Sequence, residues 1–240
     1  MKLAKNEHLI TFLSGMVAGS FIAFGGIAYI LALAYLPADI SKIVGACLFP
    51  LGLMLVCFTG TKLYTGRIGY VIDKNEVPIK KKIAELTIMV LGNFIGAALI
   101  GLIFFSISYK SDLLLTKFIG IVEGKTANRT YADGIFRPIL CGVMVFLAVD
   151  FFKSFKNIGC KILFIFIPIF LFVFAGWDHC VANAFYYAAG LMAMAEKGVE
   201  IDATTIAWLF VNLFGCILGN SIGSIVTNLV KKALKITIKE

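Results

Sequence analysis

Long apolar stretches alternate with short polar ones along almost the whole chain. A stretch of about 18 or more apolar residues is long enough to cross the hydrocarbon core of a bilayer as a helix. Six such stretches can be marked: Leu9–Leu36, Ile43–Ile72, Ile83–Ile107, Ile135–Phe152, Ile162–Ala195 and Ala203–Val230. The pattern predicts an all-α membrane protein with six transmembrane helices and one transmembrane domain over residues 1–240.

Two of these segments contain residues that interrupt a helix. The second includes Gly60 and Thr61 within the run Phe58–Gly66, and the fifth includes Gly176 followed by Asp178. Non-helical backbone at membrane depth is tolerated only where it is buried in protein or lines a watery cavity. We therefore predict that helices two and five are broken, which places helix ends that favour anions in the interior.

The two halves of the chain resemble each other weakly. Leu91–Gly96 in the third segment matches Leu218–Gly223 in the sixth, and Phe58–Gly60 matches Phe174–Gly176 in the same order. Three crossings in each half, an odd number, imply that the halves are inverted. An inverted 3+3 repeat with matching broken helices is typical of transporters and channels. The predicted halves are residues 9–107 and 135–230.

The positive charges predict a topology. Fourteen Lys and Arg residues lie at the chain ends and in the connections after the second and fourth segments, whereas six lie on the opposite side. The positive-inside rule then puts both termini in the cytoplasm of a protein in the cell membrane. The net charge of +8 does not indicate nucleic-acid binding, because the basic residues lie at the ends of apolar runs. For the Lys80–Lys82 cluster, a solvated loop in contact with anionic lipid is the better interpretation.

Composition excludes several other classes of protein. The chain is 60% hydrophobic and 15% charged, whereas about a quarter of the residues of a soluble domain are charged. The six cysteines are scattered without a CxxC pair, so we expect neither a metal site nor a disulfide framework. We also expect no cofactor.

Asp178 and His179 lie together in the break of the fifth segment. Ionisable residues inside a membrane are rare and usually functional, and a histidine can change charge near neutral pH. We predict that His179 lines a pore. Asp178 is expected to have a structural role, capping the helix that begins at about Val181 by accepting its free N–H groups.

Three asparagines lie in apolar helices, where each can hydrogen-bond the opposed broken segment. We interpret Asn93 and Asn220 as structural residues, since closely packing glycines surround them, and we place Asn183 with the pore residues. Lys62 lies inside the first break. It can snorkel to the cytoplasm or raise the potential of an anion vestibule, and the sequence leaves both roles open.

The run Phe172–Asn183 reads Phe-Val-Phe-Ala-Gly-Trp-Asp-His-Cys-Val-Ala-Asn. It resembles the fifth-helix motif of the formate/nitrite transporter family, in which an aromatic residue, an acidic residue and His precede Ser-Val-Ala-Asn. Phe49–Leu53 and Gly60–Thr65 resemble the broken second helix of that family. The two Gly-Asn-x-Ile-Gly stretches match its third and sixth helices, so the resemblance covers nearly the whole chain.

The resemblance implies an aquaporin-like fold and a homopentamer with one pore in each protomer. It implies that His179 faces the pore between two hydrophobic constrictions, with Thr65 facing it across the pore. Lys125, in the outer loop before the fourth segment, is near the place of a family lysine that attracts anions. The residues that match constriction positions are Phe49, Leu53, Leu63, Tyr64 and Phe172.

Three positions depart from the family pattern and bear on the choice of substrate. Lys62 stands where an acidic residue is common. Tyr64 stands where Phe is common, which makes that constriction more polar. Gly142 stands where some members have a pore Asn beside the His.

We expect passive or proton-linked movement of a small monovalent anion such as formate, nitrite or hydrosulfide. A basic vestibule concentrates the anion, and an apolar constriction penalises its bare charge by roughly several kcal/mol. A proton supplied through His179, or the positive potential of His179 and the helix ends, lowers that barrier. The sequence leaves these two possibilities open.

Two alternatives belong to other functional classes. An aquaglyceroporin-like channel for neutral solutes should carry paired Asn-Pro-Ala half-helices, and neither break contains proline. An intramembrane enzyme using His179 and Asp178 would need a Ser partner or a second metal ligand. The other histidine, His8, lies in the tail, so we expect no catalytic residues.

Overall fold

The computed structural model describes residues 6–126 and 130–236, and the regular structure in these ranges is helical throughout. Six helical spans of the described chain are long and apolar enough to cross a membrane, which confirms the predicted all-α membrane protein. The helices are α1 (Glu7–Tyr35), α2 (Ala38–Leu48), α3 (Leu51–Thr59), a 3₁₀ helix (Ile68–Ile72), α4 (Ile79–Ser108), α5 (Asp112–Thr126), α6 (Tyr131–Ser154), α7 (Ile158–Ala175), α8 (Cys180–Glu196) and α9 (Ala203–Ala233).

Two helix pairs form the scaffold, α1 with α4 and α6 with α9. Glycines bring the backbones of each pair into contact: a Cβ atom at Gly96 would overlap the backbone of Met16, and one at Gly223 would overlap that of Ile139. Small residues favour such crossings in a membrane, where larger apolar side chains gain little over contact with lipid. Equivalent glycines therefore bring the helices together in the same way within each half, and the inverted orientation of the halves stays a prediction.

The second predicted segment contains one more interruption than expected. Pro50 separates α2 from α3, because proline has no N–H to donate to the preceding helical turn. α3 then ends at Thr59, and Gly60 adopts a left-handed φ of 70°. The chain from Thr61 to Arg67 is not helical, in agreement with the predicted break.

The fifth segment is interrupted in the same manner. α7 ends at Ala175, Gly176 has a φ of 74°, and α8 begins at Cys180. Only glycine adopts this backbone conformation without strain, which makes it a common terminator of helices. The structure thus places parts of two short non-helical segments, residues 63–66 and 178–179, in the interior of the bundle, whereas Thr59 and Ala175 at the two helix ends are exposed.

The expected outer loop between the third and fourth segments is largely the helix α5. Its apolar side chains Leu114, Leu115, Phe118 and Val122 are buried, and α5 packs mainly on α8. Charged residues alternate with these apolar ones, and the helix is too short to span a bilayer. For these reasons the sequence pattern did not predict α5. Lys125 accordingly lies in the last turn of α5 and not in a loop.

We predict that Gly96→Val strongly destabilises the protein. Its Cβ would lie within 2.8 Å of the Met16 Cα, and overpacking of this kind typically costs about 1–3 kcal/mol. Gly134→Ala is the matched control, because no heavy atom lies within 4 Å of a Cβ built there. Thermal unfolding in detergent should show a large loss for Gly96→Val and none for the control. Equal unfolding temperatures would contradict the close crossing of α1 and α4.

Candidate functional site

Asn93 holds the first non-helical segment in place. Its side-chain oxygen accepts a hydrogen bond from the N–H of Tyr64 at 2.8 Å. Its amide nitrogen donates to the carbonyl of Gly15 at 2.8 Å and to that of Lys62 at 2.9 Å. Asn93 is fully buried, so one side chain ties α4, α1 and the broken segment together.

Asn220 does the same for the non-helical segment between α7 and α8. Its oxygen accepts from the N–H of Cys180 at 3.0 Å, and its nitrogen donates to the carbonyls of Pro138 and Asp178 at 2.8 and 2.9 Å. In both halves the N–H and the carbonyl of the broken segment belong to residues two positions apart. Each asparagine bonds the broken segment of its own half.

His179 lies at the N-terminus of α8 and links the two broken segments. Its Nδ1 accepts from the N–H of Ala182 at 3.2 Å, and its Nε2 is 2.8 Å from the hydroxyl oxygen of Thr65. An acceptor Nδ1 in a neutral imidazole requires the proton on Nε2. His179 therefore donates to Thr65, and both residues are buried.

This arrangement corrects the prediction for Asp178. The N-cap of α8 is His179, and the Asp178 carboxylate instead forms an ion pair with Lys125 of α5. The Asp178 side chain is fully buried and that of Lys125 is 14% exposed. A buried carboxylate needs a cation and hydrogen bonds to offset its lost hydration, and Lys125 supplies the cation.

Asn183 extends this polar cluster along α8. Its amide donates to Asp178 at 3.4 Å and to the side-chain oxygen of Asn212 on α9 at 3.0 Å. It thus bonds its own broken segment and not the opposed one. Among the described residues, no buried side-chain nitrogen or oxygen lacks a hydrogen-bond partner.

An apolar constriction lies beside His179. The rings of Phe49 and Phe172 meet edge to face, with their centroids 5.9 Å apart, and the Phe172 ring faces that of His179 at 6.0 Å. The void between these groups has a volume of about 10 Å³, too small to admit more than a single water. Its other lining residues are Ile22, Leu53, Val145 and Ile169.

A larger cavity, which we call the Lys125 vestibule, adjoins the constriction and shares Phe49, Phe172 and His179 with it. Its volume is about 200 Å³. Lys125 and Asn183 are polar groups in its wall, and aromatic side chains form much of the remainder: Tyr29, Trp177 and Tyr186.

A second cavity of about 220 Å³, the Arg67 vestibule, is lined by Arg67, Lys153, Leu63 and Cys57 among others. Phe49, at the end of α2, lines the first cavity and the constriction, whereas Leu53 of α3 lines the constriction and Cys57 of α3 the second cavity. The three spaces therefore follow one another along this part of the chain.

Two predicted pathway residues point elsewhere. The ammonium group of Lys62 donates to the hydroxyl of Thr11 on α1 at 2.7 Å, and Lys62 is absent from the linings of both vestibules. The hydroxyl of Tyr64 bonds that of Ser221 on α9 at 2.7 Å, and Tyr64 lines neither the vestibules nor the constriction.

Gly142 has a packing role. A Cβ atom there would overlap the backbone of Asn220, so an asparagine cannot stand at this position without moving α9. Glycine at this position, which departs from the family pattern, therefore permits the close crossing of α6 and α9.

Sequence reasoning missed several wall residues. Ile22, Val145 and Ile169 are ordinary apolar residues in apolar helices, and no chemical signal distinguishes them. Arg67 and Lys153 were counted only as charges that orient the helices. Nothing in their positions along the sequence indicates that the fold brings them to one cavity.

The family model described as Formate/nitrite transporter matches residues 1–232. The chain is 28% identical over 248 residues to the formate channel FocA of Haemophilus influenzae, covering 98% of this chain and 87% of that protein. It is 32% identical over 235 residues to a probable formate transporter of Methanothermobacter thermautotrophicus, covering 86% and 81%.

Two solved structures share the fold. One is described as a pentameric formate channel with formate bound, with a TM-score of 0.77, 22% identity and 97% coverage of each chain. The other is described as an FNT family ion channel, with a TM-score of 0.84, 23% identity and coverage of 98% of this chain and 93% of that one. At these identities the likeness shows the fold.

We predict that Lys125→Gln destabilises the protein by about 3 kcal/mol, because it takes the Lys125 cation away from a buried carboxylate. Lys125→Gln combined with Asp178→Asn should recover most of this loss, since the pair then carries no charge. Lys117→Gln, at an exposed lysine of the same helix, should change stability by less than about 0.5 kcal/mol. Thermal unfolding of the wild type, Lys117→Gln, the single variants Lys125→Gln and Asp178→Asn and their combination measures the coupling, and additive effects of the two substitutions would refute the pair.

Proposed function

The chain belongs to the formate/nitrite transporter family, and on that premise we propose that it conducts formate across a membrane through a pathway within one protomer. The single observation that carries this proposal is the succession of two cation-bearing vestibules separated by an apolar constriction beside His179 and Thr65. All of these groups belong to one chain. Nitrite and hydrosulfide, also small monovalent anions, are proposed as further substrates.

The vestibules supply positive charge at both ends of the pathway. Lys125 lies in the wall of one and Arg67 and Lys153 in the wall of the other. Clefts with charge of one sign raise the local concentration of the opposite ion. We propose that Arg67 and Lys153 attract the anion to one mouth, whereas Lys125, whose charge Asp178 balances, attracts it more weakly to the other.

The constriction sets the form in which the substrate crosses. Aromatic and aliphatic side chains offer nothing to replace the hydration of a bare anion, and an uncompensated charge in such surroundings costs at least several kcal/mol. The neutral acid loses far less. We propose that formate crosses with a proton, as formic acid, and that the proton is taken up from water in the vestibule.

His179 acts in this proposal as a neutral hydrogen-bond donor. A second proton on Nδ1 would break its bond to the N–H of Ala182 and remove the cap of α8. Its Nε2–H is bonded to Thr65, which lines none of the three spaces, whereas His179 lines both the Lys125 vestibule and the constriction. Thr65 thus orients His179, whose Nε2–H we propose is offered to a passing carboxyl oxygen, and the substrate carries its own proton.

We predict that His179→Asn lowers formate uptake about tenfold, the equivalent of one hydrogen bond, without changing its pH dependence. Asparagine is a good N-cap, so α8 should remain intact. Uptake by either protein should rise about tenfold for each unit of falling pH, as the fraction of neutral acid does far above its pKa. Thr65→Val, which removes the hydroxyl, should give the same result.

Uptake of labelled formate into proteoliposomes with matched protein content measures these rates, with nitrite, hydrosulfide and lactate run in parallel. A flat pH profile in a correctly assembled His179→Asn protein would show that His179 itself supplies the proton. An unchanged rate would leave His179 with the capping role alone. No uptake of any of the four by the wild type would reject the proposed function.

We propose that both termini are cytoplasmic and that the protein lies in the cell membrane. The support is the excess of Lys and Arg on one side, which places the Arg67 vestibule toward the cytoplasm. We predict that epitope tags at either end bind antibody only after intact cells are permeabilised. A tag placed after Lys110, on the opposite side, is the control that should bind before permeabilisation. Binding to either end in intact cells would refute the topology.

We propose a homopentamer, supported by a similar structure described as a pentameric formate channel. We predict that native mass spectrometry finds five copies of the 26.1 kDa chain. Because the pathway lies within one chain, pentamers mixed from wild-type and pathway-blocked protomers should conduct in proportion to the wild-type fraction. A blocked protomer can be made by Leu53→Trp in the constriction. A steep loss at low blocked fractions would place the pathway between protomers.

A further inference from the structure

A third cavity, which we call the side cavity, lies next to the Arg67 vestibule. Its volume is about 280 Å³, close to the smaller binding sites for small molecules in proteins. Four basic residues line it, Arg67, Lys81, Lys82 and Lys153, together with one acidic residue, Glu85. Its wall is therefore positive, and it shares Arg67 and Lys153 with the Arg67 vestibule.

The carboxylates around this cavity are engaged elsewhere. Asp150 is paired with Lys231 at 2.6 Å and accepts from the hydroxyl of Tyr70 at 3.1 Å. Asp73 is paired with Lys232 at 2.6 Å. Asp150 and Asp73 thus already neutralise lysines outside the lining, whereas Glu7 is paired with Lys81 of the lining at 3.2 Å.

Arg67 and Lys153 have no such partner within the described ranges. No carboxylate of residues 6–126 and 130–236 lies within ion-pair distance of either side chain. Glu85 attracts Arg67 from a greater distance, and the ammonium group of Lys153 lies 3.6 Å from the centre of the Tyr70 ring. Two cations therefore face a shared space with little to balance them.

We propose that the side cavity binds a phosphate group, as inorganic phosphate or as the head of a phosphate monoester. A guanidinium presents a planar fork of donors that matches two phosphate oxygens, and lysines add point charge. With Glu85 in the lining and Glu7 paired with Lys81, the four basic side chains leave two net positive charges, which the dianion balances, whereas formate balances one. Asn75 adds a donor, because its side-chain oxygen already accepts from the N–H of Val77 at 3.2 Å and its amide hydrogens remain for the ligand.

Two sources of this group fit the location. The cavity lies at the N-terminal end of α4, where a basic pocket between membrane helices is suited to a lipid head group. Phosphatidic acid carries a phosphate monoester, and soluble phosphate reaches the same opening from water. Both offer the same dianionic group, and the experiment below distinguishes them.

Occupancy of the side cavity should slow transport. Arg67 and Lys153 line both the side cavity and the Arg67 vestibule, so a bound phosphate neutralises the two cations that attract an anion to that mouth. This second part rests on the proposed function, whereas the binding does not. A protein that carried no formate would still bind phosphate.

The binding test uses the purified full chain in phosphatidylcholine nanodiscs and equilibrium binding of labelled inorganic phosphate. A parallel series with small fractions of phosphatidic acid or phosphatidylglycerol measures retained lipid by mass spectrometry. We expect saturable binding of one phosphate group per chain, weakened at least about tenfold in Arg67→Gln/Lys153→Gln. The double variant Lys74→Gln/Lys80→Gln loses the same charge outside the lining and should bind within about twofold of the wild type.

Asn75→Leu separates the side cavity from the vestibule, because Asn75 lines only the former. It should weaken phosphate binding and leave formate uptake in the absence of phosphate unchanged. Saturable binding of inorganic phosphate alone identifies a soluble ligand, and preferential retention of phosphatidic acid identifies a lipid. Either result supports the site when Arg67→Gln/Lys153→Gln abolishes it.

Three outcomes would overturn the proposal. They are no saturable phosphate or phosphatidic acid binding, equal weakening in both double-glutamine variants, and retention of phosphatidylglycerol, a diester, as strong as that of phosphatidic acid. Gel filtration first verifies that each variant assembles as the wild type does. If binding follows the expected pattern but phosphate at the Arg67 side leaves formate uptake unchanged, the site stands and its control of transport is refuted.

Discussion

A helix that ends inside a bilayer leaves backbone N–H and C=O groups that lipid cannot satisfy. This protein contains two such ends, and the same solution serves both. One asparagine in each half accepts from an N–H of the broken segment and donates to two carbonyls, one of them in the neighbouring helix: Asn93 does so for the first segment and Asn220 for the second. The candidate pathway depends on these two amides, because they hold the segments that form it.

The contact between His179 and Thr65 follows from this anchoring. Asn220 fixes the N–H of Cys180, which places His179 immediately before α8, where its Nδ1 caps the helix. Asn93 fixes the N–H of Tyr64, and Thr65 is the next residue. The His179–Thr65 hydrogen bond therefore joins two segments that are each already held, and apolar side chains separate it from bulk water.

Local properties of the chain were enough to predict much of this architecture. The six spans follow from the length of the apolar stretches, and the two breaks follow from Gly60 and Gly176, residues that terminate helices wherever they adopt a positive φ. His179 could be identified as a candidate because ionisable residues in apolar membrane segments are rare and usually functional. Each of these inferences uses only neighbouring residues.

What the sequence by itself determined was thus the number of membrane spans, where two of them break, and His179 as a candidate site. Tertiary structure decided the partners. Lys125 meets Asp178 across 53 positions of the chain because α5 folds onto α8, and that pairing left the cap to His179. The position of α1 likewise puts Thr11 beside the non-helical segment, where the ammonium group of Lys62 bonds it and lies away from the vestibules. Hydrophobicity and helix termination are local quantities, whereas ion pairs and cavity walls depend on how distant helices cross.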